Sequence, residues 1–271
     1  MKKLKYIFFL VIFGLTSCEE VIELDLPKAE PRLVIEASID WVKGTDGSTQ
    51  KVRLTTTAGY YDIEIPIVSN AIVSIEKEDG TVFDFIENEA SGEYYCYNFI
   101  PEIGKSYTLT VVVDGEVYTA SEKLFPAPEF LYFEQNNEIG FGDDVIEIKY
   151  YFQDNPDEDN FYMDRIEDPT KAFPIFGTGN DKFTQGNAMY GLYFSEDLKA
   201  GDVLNIRLYQ ISERYHDYMN KLLEAADNGG GPFQTTPSTV RGNLINQTNP
   251  ANYALGYFRL SEVFETSYTV E

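Results

Sequence analysis

The chain has 271 residues, 43% of them hydrophobic and 15% aromatic, with a formal net charge of −24 at pH 7. That charge repels phosphate backbones and anionic lipid surfaces alike, which excludes nucleic-acid binding by counterion release and membrane attachment through a basic patch. With only 2 cysteines and 1 histidine, a zinc site built of Cys and His is excluded by supply.

Lys2, Lys3 and Lys5 precede a short apolar run from Tyr6 to Leu15, and Leu15-Thr16-Ser17 then leads into Cys18. A positive start, a run of about ten apolar residues and small residues at the end read as a secretory signal. The run is too short for the ~20 residues of a spanning helix. Leu-Thr-Ser-Cys matches the lipobox of bacterial lipoproteins. By that resemblance residues 1–17 are the signal peptide and Cys18 becomes the lipidated N-terminus, its thiol diacylated and its amine acylated. Two or more acyl chains, at ~0.8 kcal/mol per buried methylene, anchor a protein stably.

Residues 18–30 read as a tether. Glu19 and Glu20 resemble a surface-export signal, and Ile22, Leu24 and Leu26 alternate with Glu23 and Asp25 in the period of an edge strand. With Cys18 lipidated, Cys96 has no partner for an intrachain disulfide. It sits in a strand-like Glu93-Tyr94-Tyr95-Cys96-Tyr97 run with no His, Lys or Arg beside it in sequence. It reads as a small buried hydrophobe and not as a reactive thiol.

Residues 31–125 carry about seven short strands. Leu33, Ile35, Ala37 and Ile39 alternate; Val52, Leu54 and Thr56 follow; then come Ala71, Val73 and Ile75, turned at Asp79-Gly80 into 82–86. Tyr95, Tyr97 and Phe99 suggest a further strand face. Tyr107, Leu109, Val111 and Val113 return at Asp114-Gly115 along 117–119. Asp-Gly between alternating apolar runs is a strong hairpin signal, and this density of strands and turns predicts an immunoglobulin-like β-sandwich.

Pro126-Ala127-Pro128 breaks the pattern and marks a domain boundary. Residues 126–271 predict a second β-sandwich-like domain with a helix inserted. Strands are expected from Val145, after an acidic turn at Asp154 to Asn160, and at 190–194, 203–209 and 253–260. Pro169 to Met189 is Gly-rich and unpatterned and reads as a loop. Tyr215, Tyr218, Met219, Leu222, Leu223 and Ala226 recur at three and four, predicting an amphipathic helix over about 212–228 with Ser212 as its N-cap and Gly229 as its stop.

Several stretches in this order resemble a Bacteroidota outer-membrane lipoprotein family, domain of unknown function 4249. They are Cys18-Glu19-Glu20 with Glu30-Pro31-Arg32-Leu33-Val34-Ile35; Asn70-Ala71-Ile72-Val73 before Asp79-Gly80; and Gly104-Lys105-Ser106-Tyr107-Thr108-Leu109. Phe152-Gln153-Asp154 before Asn160-Phe161-Tyr162 continues the series, then Pro232-Phe233, Gly242-Asn243 and Leu255-Gly256-Tyr257-Phe258. The resemblance covers essentially the whole mature chain. It implies an outer-membrane lipoprotein, often encoded beside TonB-dependent receptors, with no catalytic residues to carry over.

Chemistry is sparse. His216 lies beside the apolar stripe of the helix, no Gly-x-Ser-x-Gly elbow supplies a serine, and the imidazole reads as a boundary residue and not a catalytic base. Asp154, Asp157 and Asp159 form the one calcium candidate, without the Asp-x-Asp-x-Asp-Gly pattern and equally explained as an acidic turn. Gly229-Gly230-Gly231 ends a helix where a phosphate loop would begin one. Aromatics at Tyr60-Tyr61-Asp62 and between Phe173 and Phe183 stand where turns are expected, a placement typical of sugar or protein contacts and equally of packing back onto the sheet.

The reading these features support is a lipid-anchored outer-membrane protein facing the cell surface, without cofactor. It would be a non-enzymatic accessory or substrate-capturing partner of a TonB-dependent transporter. A surface hydrolase of glycan or peptide, needing a carboxylate cluster or a serine near His216, is the competing class; a purely structural envelope protein is the third.

Overall fold

Alternating sequences send one face of each strand inward, and here those faces meet in a sheet that closes on itself. The computed structural model describes residues 30–59, 62–137, 145–227 and 239–271, and Pro31–Glu271 forms one compact unit. Strands β1 (Leu33–Val42), β2 (Gln50–Thr56), β3 (Ile72–Lys77), β4 (Val82–Glu87), β5 (Glu93–Cys96), β6 (Ser106–Val113) and β7 (Glu116–Phe125) join in the order β1-β2-β5-β4-β3-β6-β7, and the short β14 (Ile245–Asn246) pairs with β7. The last strand, β15 (Leu255–Thr269), lies parallel to β1 along Leu255 to Val263 and touches β7 at Leu260 and Ser261, completing an eight-strand ring. Ile35, Ile39, Leu54, Ile75, Tyr107 and Leu109 are fully buried inside it.

Turn chemistry sets the ring's register. Asp114 and Gly115 both take positive φ, 50° and 79°, as a two-residue type I′ hairpin requires. The seam between β1 and β15 depends on Gly256, where a Cβ would stand 2.1 Å from the carbonyl oxygen of Ile35. Beside it, the Asn243 amide donates to Phe258 O at 2.7 Å and accepts from Phe258 N at 2.9 Å, standing in for a strand neighbour. The Gly242-Asn243 and Gly256-Tyr257-Phe258 stretches, separate in sequence, are therefore one structural device.

Beyond Val263, β15 leaves the ring and pairs with β13 (Val203–Ile211), which continues to β10 (Phe161–Glu167) and β11 (Ile175–Asn180). A separate three-stranded sheet, ordered β12 (Ala188–Ser195), β9 (Ile146–Gln153), β8 (Glu129–Asn136), packs on this wing. Between them lies a second core. Ile148, Tyr150 and Phe152 of β9 meet Tyr162 and Ile166 of β10 there, with Leu204, Ile206 and Leu208 of β13.

The opposite face of the wing is covered by α1 (Glu213–Asp227), whose Tyr215 and Met219 pack on Met163, Tyr209, Tyr257 and Val263. Ser212 caps it, accepting from Tyr215 N at 3.2 Å. Where ring, wing and helix meet, the buried Arg259 guanidinium stands 2.8 Å from Asp40 and 4.8 Å from the centre of the Tyr209 ring.

The chain is mainly β with one helix among the described residues, and that helix falls within its expected span. Other details differ from expectation. The strands of 31–125 close into a ring through β15, a closure that the sequence does not forecast. The expected loop from Pro169 to Met189 contains β11, and β8 is a strand without a sequence forecast. The last strand has 15 residues and serves both ring and wing. In β5, Tyr94 and Cys96 face the core, while Tyr95 and Tyr97 stack outside at 6.0 Å. Cys18 and the tether up to Ala29, Tyr60-Tyr61 and Gly229 to Phe233 lie outside the described residues.

Candidate functional site

The wing and the three-stranded sheet each end in an edge strand, β11 and β12, and a cleft of about 320 Å³ opens between these edges. Its origin is in the alternation. On β10, Tyr162, Asp164 and Ile166 face the second core, and their partners on β11 are Gly179, Gly177 and Ile175. On β9, Ile148, Tyr150 and Phe152 face the same core, and their partners on β12 are Tyr193, Gly191 and Met189. Glycine thus stands at three inward positions on the two facing edges. A side chain at Gly191 would collide with the Tyr150 ring at 2.1 Å, and one at Gly177 would meet both Asp164 oxygens at 2.8 Å; at Gly179 the space is open.

Asp164 sits in this cleft, hydrogen-bonded by the Tyr150 hydroxyl and the Gly177 N–H. Burial pushes its carboxyl above the ordinary aspartate value, against the lowering effect of those two donors. Burial likewise pushes Tyr150 well up, with the Asp164 charge adding to it. Two more tyrosines lining the cleft are tied to buried aspartates: Tyr162 donates to Asp154 at 2.5 Å and Tyr193 to Asp168 at 2.6 Å. Burial works to raise Asp168, but hydrogen bonds from Thr170 and Tyr193 outweigh it and leave the carboxyl lowered.

The calcium candidates are not brought together. Asp154 is buried and accepts from Tyr162 and, at 2.6 Å, from Gly186 N, whereas Asp157 and Asp159 are exposed. Among the described residues no group of three or more His, Cys, Asp or Glu is placed to hold a metal. The acidic turn is instead braced by Asn160, which donates to Asn155 O at 2.9 Å and Glu158 O at 2.6 Å. His216 lies 3.2 Å from the Asn220 amide and against the Phe161 ring, with Asp217 at 3.6 Å. Cys96 is buried beside Asn98, and burial pushes its thiol up. Phe173 and Phe183, flanking β11 in sequence, are 81% and 91% exposed.

Sequence reasoning does not reach Asp164. The available signal is its phase: it occupies the inward face of a strand, between Tyr162 and Ile166.

A family model described as Domain of unknown function (DUF4249) matches residues 19–267, and the chain belongs to that family. Among curated proteins, none matches the sequence. Solved structures with partial likeness include a DUF4785 family protein from Legionella pneumophila, at 9% identity and TM-score 0.26 over 66% of this chain. This chain spans about half of that one, 52%. A two-domain fibronectin type-III segment from chicken tenascin matches at 10% identity and TM-score 0.22, covering 67% of this chain and 91% of that one. A cytokine receptor complex matches at 8% identity and TM-score 0.27, covering 69% and 93%. Scores this low carry no argument about function.

Proposed function

We propose that the mature chain is a lipid-anchored outer-membrane protein, attached through Cys18 and facing the cell surface. There it acts without catalysis as a substrate-capturing accessory of a TonB-dependent transporter. The observation that carries the capturing role is the cleft between β11 and β12, a concave aromatic site with one convergent carboxyl. Anchoring supports the role physically, because a tethered partner acts at high effective concentration without needing high affinity. In the same reading, 31–125 is an immunoglobulin-like module and 126–271 a second, sandwich-like one that lends its last strand to close the first.

Within the cleft, the raised carboxyl of Asp164 is the feature that favours a surface hydrolase. A glycosidase of the usual kind needs a second carboxyl within roughly 5–9.5 Å, and Asp164 is the one carboxylate among the described residues lining the cleft. Binding is therefore the better-supported role.

Purification of the native protein from detergent-solubilised outer membranes, with mass spectrometry of what accompanies it, tests the proposal. A TonB-dependent receptor should co-purify, and Cys18→Ala should release the chain to the soluble fraction. Recovery without any receptor overturns the transporter partnership.

A further inference from the structure

Resting on the reading of the cleft as a capture site, we infer that its ligand is cationic: an alkylammonium group seated between the aromatic walls and the Asp164 carboxylate. The argument is one of charge and geometry. A carboxylate taken out of water is costly unless a cation accompanies it. Asp164 is held by two neutral donors, Tyr150 and Gly177, and no Lys or Arg is among the described residues lining the cleft. The nearest basic residues on these strands are engaged elsewhere: Lys149 pairs with Glu147 at 3.0 Å and Arg165 with Glu167 at 2.6 Å. Both belong to the strand faces turned away from the second core, by the same alternation that turns Asp164 inward.

The walls fit the same ligand. Aromatic side chains from Phe152, Tyr162 and Tyr193, all on inward strand positions, line the space, and ring faces attract ammonium groups within about 6 Å of their centroids. Gly177 and Gly179 keep the approach to the carboxylate free of side chains, and Gly191 makes room for the Tyr150 ring whose hydroxyl donates to it. The overall charge of −24 draws cations and repels anions before contact. An ammonium group has two sources, a small amine or a lysine side chain on an extended peptide, and the edge strand β11 could pair with the latter.

Calorimetric titration of the full mature chain decides the matter. The probes are n-butylammonium, a blocked Ala-Lys-Ala tripeptide, methyl glucoside and butyrate. Binding of n-butylammonium, weakened at least about tenfold by Asp164→Asn and by Gly179→Leu, is the expected result. Gly179→Leu adds a side chain where space is open, so its fold should persist, verified by an unchanged circular dichroism spectrum. Much tighter binding of the tripeptide than of the amine assigns the source to a peptide, and equal binding to a small amine. Binding of methyl glucoside or butyrate without the amine overturns the cationic ligand while leaving the capture site standing. Amine binding indifferent to both substitutions overturns the cationic site, and silence from every probe also counts against the cleft as the capture site.

Discussion

The eight-strand ring and the cleft-bearing half differ in how deep the acceptors of their buried tyrosines lie. Inside the ring, Tyr94 and Tyr107 send their hydroxyls to backbone carbonyls, Val68 O at 3.0 Å and Ile100 O at 3.2 Å, and Tyr118 donates to the half-buried Glu116 at 2.6 Å. In the second core, Tyr150, Tyr162 and Tyr193 donate to aspartates that are themselves largely buried. The carboxyls shift both ways in each region, Asp168 of the second core being lowered. Those of Glu78, Asp79 and Glu93 in the ring are lowered by hydrogen bonds at the surface, Asp79 to about 2 through Lys77 first. Asp164 is raised by burial, as is Glu122 of β7. What sets the second core apart is that one of its carboxyls, Asp164, lies at an opening, where a ligand can reach it.

The largest expected effect breaks the ring. Leu109→Ala should cost roughly 2–5 kcal/mol by denaturant unfolding, because a fully buried side chain leaves a cavity. A smaller loss is expected from Tyr193→Phe, about 1–3 kcal/mol, since it removes a donor from the buried Asp168 carboxylate. Asp168 is lowered in the folded state, so its contribution is present above the unfolded carboxyl's pKa and lost as pH falls through the folded value. The Tyr193→Phe cost should accordingly shrink in acid.

Asp164 has the opposite sign. Its folded carboxyl is raised, so its contribution is fully present below the unfolded pKa and lost as pH rises through the folded value. Asp164→Asn should therefore gain stability relative to the parent at neutral pH, and the gain should disappear in acid. This is the smallest effect, read from unfolding curves at several pH values. A loss of stability at neutral pH would place Asp164 with Asp168 as a structural pin.

Much of the ring is legible in the sequence because strands of period two bury one face: Ile35, Ala37 and Ile39 alternate in sequence and in the core. The helix is legible from its three-and-four spacing and its Ser212 cap. Ring closure is not, since it pairs Val34 with Leu255 at opposite ends of the described chain, and no local pattern records that. Strand β8 is hidden by a shift of register between Phe130 and Tyr132, which changes the phase of its alternation. Strand β11 is hidden by the site itself, because Gly177 and Gly179 remove the side chains that would have displayed its period. Asp154 stands out for its acidic neighbours, yet its oxygens are occupied by Tyr162 and Gly186.

The most direct test of the cleft is amide NMR of the mature chain titrated with n-butylammonium. The expected result is that shift changes concentrate on Gly177, Gly179 and Gly191 and their strand neighbours, with the ring's amides unmoved. Perturbations gathered on the ring, or on the outer face of the three-stranded sheet around Tyr132 and Tyr151, would contradict it.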